Sequence, residues 1–123
     1  MENKDSLRAD IYKYIKDTYG RDPEYLWEKS PNYAAFRHSD NRKWFCIIMD
    51  APAGAVNLES GGKIDIINVK VANESFHDML LYKKGYGGGW HMNHRHWLSI
   101  SLDGTALLDE IEKMIDESFL CTK

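Results

Sequence analysis

Apolar residues in the first part of the chain recur at the spacing of an amphipathic helix. Over residues 5–20, DSLRADIYKYIKDTYG, the recurring positions are Leu7, Ile11, Tyr14, Ile15 and Thr18. Asp5 or Ser6 can cap the first turn, and Gly20 followed by Pro23 suits the end of a helix. The pattern therefore predicts a helix that packs one face against a core.

Three runs in the middle of the chain have the composition of β-strands. NYAAFRH (residues 32–38) and KWFCIIMDA (residues 43–51) flank the turn-forming segment SDNR, so an antiparallel hairpin is predicted. The second run is apolar at both odd and even positions, which is typical of a central strand covered on part of both faces. After the turn segments APAG and ESGG, the β-branched residues of KIDIINVKV (residues 63–71) predict a third strand.

The segment ANESFHDMLLYKKG, residues 72–85, predicts a short second helix. Asn73 is a suitable N-cap, and the lysines and the glycine at the other end suit a helix terminus. We expect Phe76, Met79 and Leu80 to face the core.

The last part of the chain predicts a strand and a helix. HWLSISLD, residues 96–103, alternates so that Leu98, Ile100 and Leu102 share one side, which we expect to face the core. The final helix is predicted from Thr105 to Phe119. Its apolar face consists of Leu107, Leu108, Ile111, Met114 and Ile115.

The predicted element order is helix, several strands, helix, strand, helix, with neither an internal repeat nor a linker. Strands joined by short turns favour an antiparallel sheet with helices on one side. A length of 123 residues fits one domain, which we place at residues 1–123. The predicted fold class is α+β: a single domain with an antiparallel β-sheet and helices packed on one face.

Composition and charge narrow the classes of protein to consider. The chain is 43% hydrophobic and 28% charged, which is ordinary for a globular domain and argues against intrinsic disorder. Its net charge of −3 argues against a dedicated nucleic-acid binder but allows a local basic patch. The polar first residues lack the apolar stretch of a signal peptide, and no run is long enough for a membrane helix. We therefore expect a cytoplasmic protein without a membrane partner.

The segment GYGGGWHMNHRHW, residues 85–97, concentrates glycine, histidine and tryptophan. It matches a phosphate-binding G-x-G-x-x-G loop only superficially, because Trp90 stands at the third glycine position. The run also follows a predicted helix and precedes a strand, which reverses the strand–loop–helix order of phosphate loops. The glycines are better interpreted as a tight turn with positive φ.

Metal binding and catalysis are both weakly supported by this sequence. His91, His94 and His96 have the spacing H-x2-H-x-H, and imidazole is a common ligand of zinc, copper and nickel. No matching carboxylate or cysteine cluster supplies further ligands, so we expect neither a metal nor a cofactor. Cys46 lies in an apolar run, Cys121 lies near the end of the chain, and no catalytic set can be assembled. We therefore expect a protein that is not an enzyme.

A nucleic-acid contact is the leading specific hypothesis. On the predicted strand, Arg95 shares parity with Trp97, on the side opposite Leu98 and Ile100, and Lys70 lies in the preceding strand. Basic and amide groups bind phosphates, and an exposed aromatic ring can stack on a base. The candidate nucleic-acid-binding residues are Lys70, His91, Asn93, His94, Arg95 and Trp97.

Two other interpretations of the same residues stay open. An exposed aromatic face of the sheet could bind a protein partner through apolar contacts. Alternatively, the segment 85–97 is chiefly structural, with His96 and Trp97 locking the loop to the sheet. The sequence does not rank these two alternatives.

The run G-W-H-M-N-H-R-H-W-L-S-I-S-L-D-G, residues 89–104, resembles the signature of the MmcQ/YjbR-like bacterial proteins. That family carries a G-Y-H-x-N-K-R-H-W run followed by an alternating strand. INVKVANESFHDML and the closing IDESF also resemble the family, so the likeness spans residues 7–120 and places Lys70 on the family's lysine.

This resemblance implies a CyaY-like α+β fold and DNA binding through a double-wing arrangement. Two departures from the family's pattern bear on that function. His94 stands where the family has lysine, which removes a full positive charge at neutral pH. The segment YLWEKSPN is longer than the short Pro-Trp segment of the family.

Overall fold

The structure, a computed structural model, describes residues 6–123, which form three α-helices and five β-strands. The helices are α1 (Arg8–Tyr19), α2 (Glu74–Leu80) and α3 (Leu108–Cys121). The strands are β1 (Ala34–Arg37), β2 (Trp44–Pro52), β3 (Lys63–Lys70), β4 (Tyr86–Gly88) and β5 (Trp97–Ser101). A 3-10 helix, Ala53–Val56, follows β2. None of the helices within the described range is long and apolar enough to cross a membrane.

The strands form one antiparallel sheet in the order β1-β2-β3-β5-β4. β1 and β2 form the predicted hairpin, and β2 lies between β1 and β3. Because neighbouring strands run in opposite directions, the end of one strand lies beside the start of the next. The end of β1, the start of β2, the end of β3 and the start of β5 therefore meet at one end of the sheet. The facing pairs Arg37–Trp44 and Lys70–Trp97 mark this end.

The main core lies between one face of the sheet and the helices. The predicted inward side of β5 is confirmed, because Leu98, Ile100 and Leu102 are all fully buried. Ile11 and Ile15 of α1 are buried in the same cluster, as α1's periodicity predicts. α3 contributes Ile111, Met114 and Ile115. The predicted α+β class, with an antiparallel sheet and helices on one face, is therefore confirmed.

The opposite face of the sheet is covered in part by this chain itself. Ile47, Met49 and Ile66 form a second buried cluster on that face. Its partly buried aromatic neighbours are Trp27, Tyr33, Trp44 and Trp90. Ser99 and Ser101, which share the outward side of β5, are both fully buried. The expected exposed aromatic face is thus largely closed, because Trp27, Tyr33 and Trp90 from the loops and Trp44 from β2 pack onto it.

Both ends of α1 follow from local chemistry. The N-cap residue is Leu7, not the predicted Ser6, although the Arg8 amide donates a hydrogen bond of 3.0 Å to the Ser6 hydroxyl. Asp5, the other predicted cap, lies outside the described residues. Gly20 ends the helix with a φ of 67°, and its amide donates to the carbonyl of Lys16. The predicted end at Gly20 is confirmed.

Two predictions about helix faces are wrong. Of the three residues of the second helix predicted to face the core, Leu80 packs against it, but Phe76 and Met79 are 41% and 74% exposed. α2 has only seven residues, and the side chain that it buries is His77. The last helix is predicted from Thr105 to Phe119, but α3 begins three residues later, at Leu108, and ends at Cys121. Leu107, predicted on its apolar face, therefore lies before the helix and is 63% exposed.

The glycines among residues 85–89 do more than form a turn. Gly85 has a φ of 89°, as a positive-φ turn predicts, but the next residues form β4, which the sequence pattern did not indicate. At Gly87 a Cβ atom would lie 1.9 Å from the carbonyl oxygen of Ala55, and at Gly89 it would lie 2.6 Å from the Trp97 Cβ. Glycine is required at both positions, because the Ala55 backbone and the Trp97 side chain leave no room for a Cβ atom.

Candidate nucleic-acid interface

The six predicted binding residues divide into two groups. Lys70, at the end of β3, faces Trp97, at the start of β5, in the strand register. The other four lie in the turn that precedes β5, and they are His91, Asn93, His94 and Arg95. The expectation that Arg95 shares a strand face with Trp97 is therefore wrong, since β5 begins only at Trp97.

Asn93 explains why the strand starts late. Its backbone carbonyl accepts a hydrogen bond of 3.0 Å from the amide of Trp97, which closes the turn. Its side-chain oxygen accepts a further bond of 2.9 Å from the amide of Arg95. Asparagine side chains often stabilise turns in this way. The side-chain oxygen of Asn93 therefore serves the local fold.

The remaining turn residues present exposed polar groups. His91 has a positive φ of 62°, and its ring centre lies 4.7 Å from that of Trp90. A Cβ atom at Gly88 would lie 3.4 Å from Nδ1 of His94, so that imidazole packs over the glycine strand. The Arg95 guanidinium is 75% exposed and lies 3.4 Å from the carboxylate of Glu74. Such an exposed pair contributes at most about 1 kcal/mol, so a phosphate can compete for Arg95.

Lys70 and Trp97 also line a cleft of about 330 Å³ at the end of the sheet where four strands meet. We call it the basic cleft. Its lining consists of Arg37, Arg42, Lys43, Trp44, Lys70, Trp97 and Thr122. Four of these side chains are cationic, and among residues 6–123 no acidic side chain lines the cleft. A basic site with two indole rings thus exists on a chain whose net charge is −3.

Sequence reasoning missed five of the lining residues: Arg37, Arg42, Lys43, Trp44 and Thr122. A partial signal was present, because Arg42 and Lys43 directly precede a tryptophan at the start of a predicted strand. The register of β2 and β3, in which Cys46 faces Val69, brings these residues close to Lys70. No sequence spacing indicates that pairing.

One wall of the cleft is built by Arg37 and Trp44. The Arg37 guanidinium carbon lies 5.7 Å from the centre of the indole ring, in the range of a cation–π contact. Nε of Arg37 lies 3.2 Å from the carboxylate of Glu24 without the alignment of a hydrogen bond. The indole N–H of Trp44 is buried and has no acceptor within the described residues.

Glu24 also approaches Arg42, since its carboxylate lies 3.5 Å from that guanidinium. It therefore neutralises part of the charge of Arg37 and Arg42. Lys43 and Lys70 form no ion pair with any carboxylate of residues 6–123. Their charges are thus the part of the basic cleft that an anion can neutralise most directly.

Buried hydrogen bonds position the strand ends that form the cleft. The hydroxyl of Ser118 in α3 accepts a bond of 2.9 Å from the amide of Lys70 and donates to the carbonyl of Phe45. Nε2 of the buried His77 lies 2.8 Å from the carbonyl of Trp97. Because a carbonyl oxygen can only accept, Nε2 is the protonated nitrogen in this contact. These hydrogen bonds fix the backbone positions of Lys70 and Trp97 at the cleft.

His91, His94 and His96 do not form a metal site with other side chains of residues 6–123. Within residues 6–123, no group of three or more histidine, cysteine, aspartate or glutamate side chains is placed to hold a metal ion. Cys46 is fully buried, and burial raises the pKa of its thiol well above the ordinary value. Burial, partly offset by the charge of Lys70, also raises the pKa of Cys121. Both thiols are therefore protonated at neutral pH.

The fold defines a class of small α+β domains: an open antiparallel sheet with three helices on one side, all within the described residues. The YjbR family model matches residues 16–121, which is most of the chain. This chain belongs to the YjbR family, so the resemblance noted in its sequence is confirmed.

Relatives and solved structures agree with this assignment. The uncharacterized protein YyaQ of Bacillus subtilis (strain 168) is 42% identical over 94% of this chain and 98% of its own length. A crystal structure of a Pseudomonas syringae protein is similar with a TM-score of 0.87 at 36% identity, covering 94% of this chain and 98% of that one. A DUF419 protein of Deinococcus radiodurans has a TM-score of 0.71 at 13% identity, covering 95% and 78%, and shows the shared fold alone.

Proposed function

We propose that this protein is a non-catalytic nucleic-acid-binding domain that binds DNA weakly through the basic cleft. One observation carries the proposal. Two of the predicted binding residues, Lys70 and Trp97, face each other across β3 and β5 and share a cleft with two arginines, a further lysine and a further tryptophan. Cationic groups contact phosphates, and aromatic rings stack on bases, so this combination is typical of nucleic-acid sites.

The two groups of predicted residues have different parts in this proposal. Lys43 and Lys70 neutralise phosphates at the cleft, where they have no carboxylate partner within residues 6–123. Arg95 and the histidines of the turn contact the backbone further along the strand of nucleic acid. Asn93 contributes by holding the turn, since its side-chain oxygen is bonded to the Arg95 amide. The overall negative charge keeps the affinity low.

Substitution of Lys70 tests this function. Each phosphate that a cation neutralises releases counterions, so affinity falls steeply with salt, and the logarithmic slope falls by about 1 for each phosphate left without its cation. We expect Lys70→Ala to weaken binding of a mixed-sequence DNA and to reduce the salt slope by about 1. Fluorescence anisotropy of a labelled DNA, measured over a range of salt concentrations, gives both quantities.

Lys13→Ala is the matched control, because it removes the same charge from the exposed side of α1, where Lys13 pairs with Asp17. We expect this control to leave the salt slope unchanged. Equal losses for Lys13→Ala and Lys70→Ala would mean that only the net charge matters. An unchanged affinity for Lys70→Ala, in a variant that unfolds at the same temperature as the parent, would contradict the proposal.

A protein-partner function is the second candidate, and a different surface favours it. Phe76, Met79 and Tyr82 on and after α2 are exposed by 41%, 74% and 82%. An association through such apolar side chains tolerates salt, because it depends on buried area rather than on counterion release. Salt-tolerant binding that Met79→Ser abolishes and Lys70→Ala leaves intact would favour this candidate over nucleic-acid binding.

A further inference from the structure

We propose that the basic cleft receives one unstacked base of a single-stranded nucleic acid, so that the protein binds single strands in preference to duplexes. This inference rests on the proposed function and names the form of nucleic acid that the site selects. It follows from the shape of the cleft, from the tryptophan rings that line it and from the cations around it.

The shape of the cleft suits a single nucleotide. Its volume of about 330 Å³ lies in the lower part of the range of about 300–1,000 Å³ that small-ligand sites occupy. The cleft is a recess between strand ends, lined by side chains from β1, β2, β3 and β5 and from the turn between β1 and β2. Inside a duplex the faces of the bases are stacked on one another, so only an unpaired base can enter such a recess.

The aromatic walls point to a base as the occupant. Trp44 and Trp97 are partly buried, and both line the cleft. Arg37 lies over the Trp44 ring and Trp27 packs against it, so Trp97 is the ring that we expect to stack on a base. Stacking on aromatic side chains is the usual way in which proteins hold unpaired bases, and it tolerates any base sequence. A simple phosphate site needs no such rings. The pairing of indoles with cations therefore favours a complete nucleotide over a free anion.

The charges around the cleft suit the phosphates of a nucleotide. Glu24 pairs with Arg37 and Arg42, whereas Lys43 and Lys70 have no carboxylate partner within residues 6–123. Cations without a partner are the ones that phosphates neutralise most directly. Arg42, Lys43 and Lys70 then lie around the recess, where the flanking phosphates run.

The test compares three probes on the unaltered protein. They are a short oligothymidylate, an abasic oligomer of the same length with the same phosphates, and a duplex of the same length. At one low salt concentration we expect the oligothymidylate to bind on the order of tenfold more tightly than either other probe, because only it offers a free base to stack. Anisotropy or tryptophan fluorescence quenching measures the three affinities.

Trp97→Leu separates stacking from charge. We expect this variant to lose on the order of tenfold in affinity for oligothymidylate and to bind the abasic oligomer as the parent does. Thermal unfolding shows whether the variant is folded. If Trp97→Leu is unstable, the comparison of oligothymidylate with the abasic oligomer decides the question on its own.

The outcomes distinguish this inference from the proposed function. Equal binding of oligothymidylate and the abasic oligomer, or tighter binding of the duplex, would overturn the single-strand inference and leave nucleic-acid binding standing. Failure of all three probes to bind at low salt would overturn both. Preference for oligothymidylate that disappears in Trp97→Leu supports both.

Discussion

At the scale of single residues, much of the polar chemistry of this protein holds the fold rather than a ligand. Arg8 and Asp65 join α1 to β3 through two hydrogen bonds, of 3.2 Å and 3.1 Å, in the bidentate geometry that arginine and carboxylate groups favour. The side chains of both residues are mostly buried. In the basic cleft, by contrast, Lys43 and Lys70 have no carboxylate partner within the described residues.

The Arg8–Asp65 pair predicts how stability responds to acid. Burial alone would raise the pKa of Asp65, but hydrogen bonds from Arg8 and Ser6 outweigh it and hold that pKa below its ordinary value of 3.8. A depressed carboxyl pKa contributes stability at pH values above the ordinary one, and this stability is lost as the pH falls through the folded value. We expect Asp65→Asn to lower the free energy of unfolding by about 1–2 kcal/mol at neutral pH.

Urea unfolding at a series of pH values measures this effect. The difference between Asp65→Asn and the parent should shrink below about pH 4, where the parent loses the same ion pair. Asp17→Asn removes an exposed pair on α1 and is the control, with an expected loss below about 0.5 kcal/mol. A difference that stays constant down to the lowest pH would contradict the assignment.

At the scale of elements, α3 fastens the strands whose ends form the cleft. The hydroxyl of Ser118 bridges the amide of Lys70 in β3 and the carbonyl of Phe45 in β2, and this serine is fully buried. We expect Ser118→Ala to lower the free energy of unfolding by about 1–3 kcal/mol, because both backbone groups lose a buried partner. Chemical denaturation measures this loss.

Ser60→Ala, at an exposed serine in the loop before β3, is the matched control and should change stability by less than about 0.5 kcal/mol. If Ser118→Ala were as stable as Ser60→Ala, the bridge would not hold the strand ends together.

The sequence predicted the long elements well and the short ones poorly. The inward side of β5 followed from simple alternation, and α1 followed from a period that runs over its full length. α2 is too short for its period to specify a face, and the side that it buries carries His77, whose Nε2 lies 2.8 Å from the carbonyl of Trp97. β4 was missed because a glycine strand has no side-chain pattern, although Gly87 is required by the close approach of Ala55.

The candidate site could be predicted only in part, for a related reason. Lys70 and Trp97 were recognised from their own segments, whereas Arg37 and Trp44 belong to a hairpin far away in the sequence. The register between β2 and β3 brings the two pairs together, and register depends on packing across the whole sheet. The CyaY-like arrangement and the double-wing mode of binding that the resemblance implies both stay predictions.

At the scale of the whole molecule, charge is distributed unevenly. The chain has a net charge of −3, yet four cations line one recess at an end of the sheet. A nucleic acid is repelled by the molecule as a whole and attracted at this end, so we expect weak binding in one orientation that salt readily abolishes. The exposed apolar residues of α2, including Met79 and Tyr82, lie outside the lining of this cleft.

The measurement that tests the central claim most directly is an amide NMR titration with oligothymidylate, first at low salt and then at physiological salt. We predict shifts at Arg37, Trp44, Lys70 and Trp97, with smaller shifts in the turn at residues 91–95, and their reversal by salt. Absence of any shift at low salt, or shifts confined to α2 and its exposed apolar residues, would contradict nucleic-acid binding at the basic cleft.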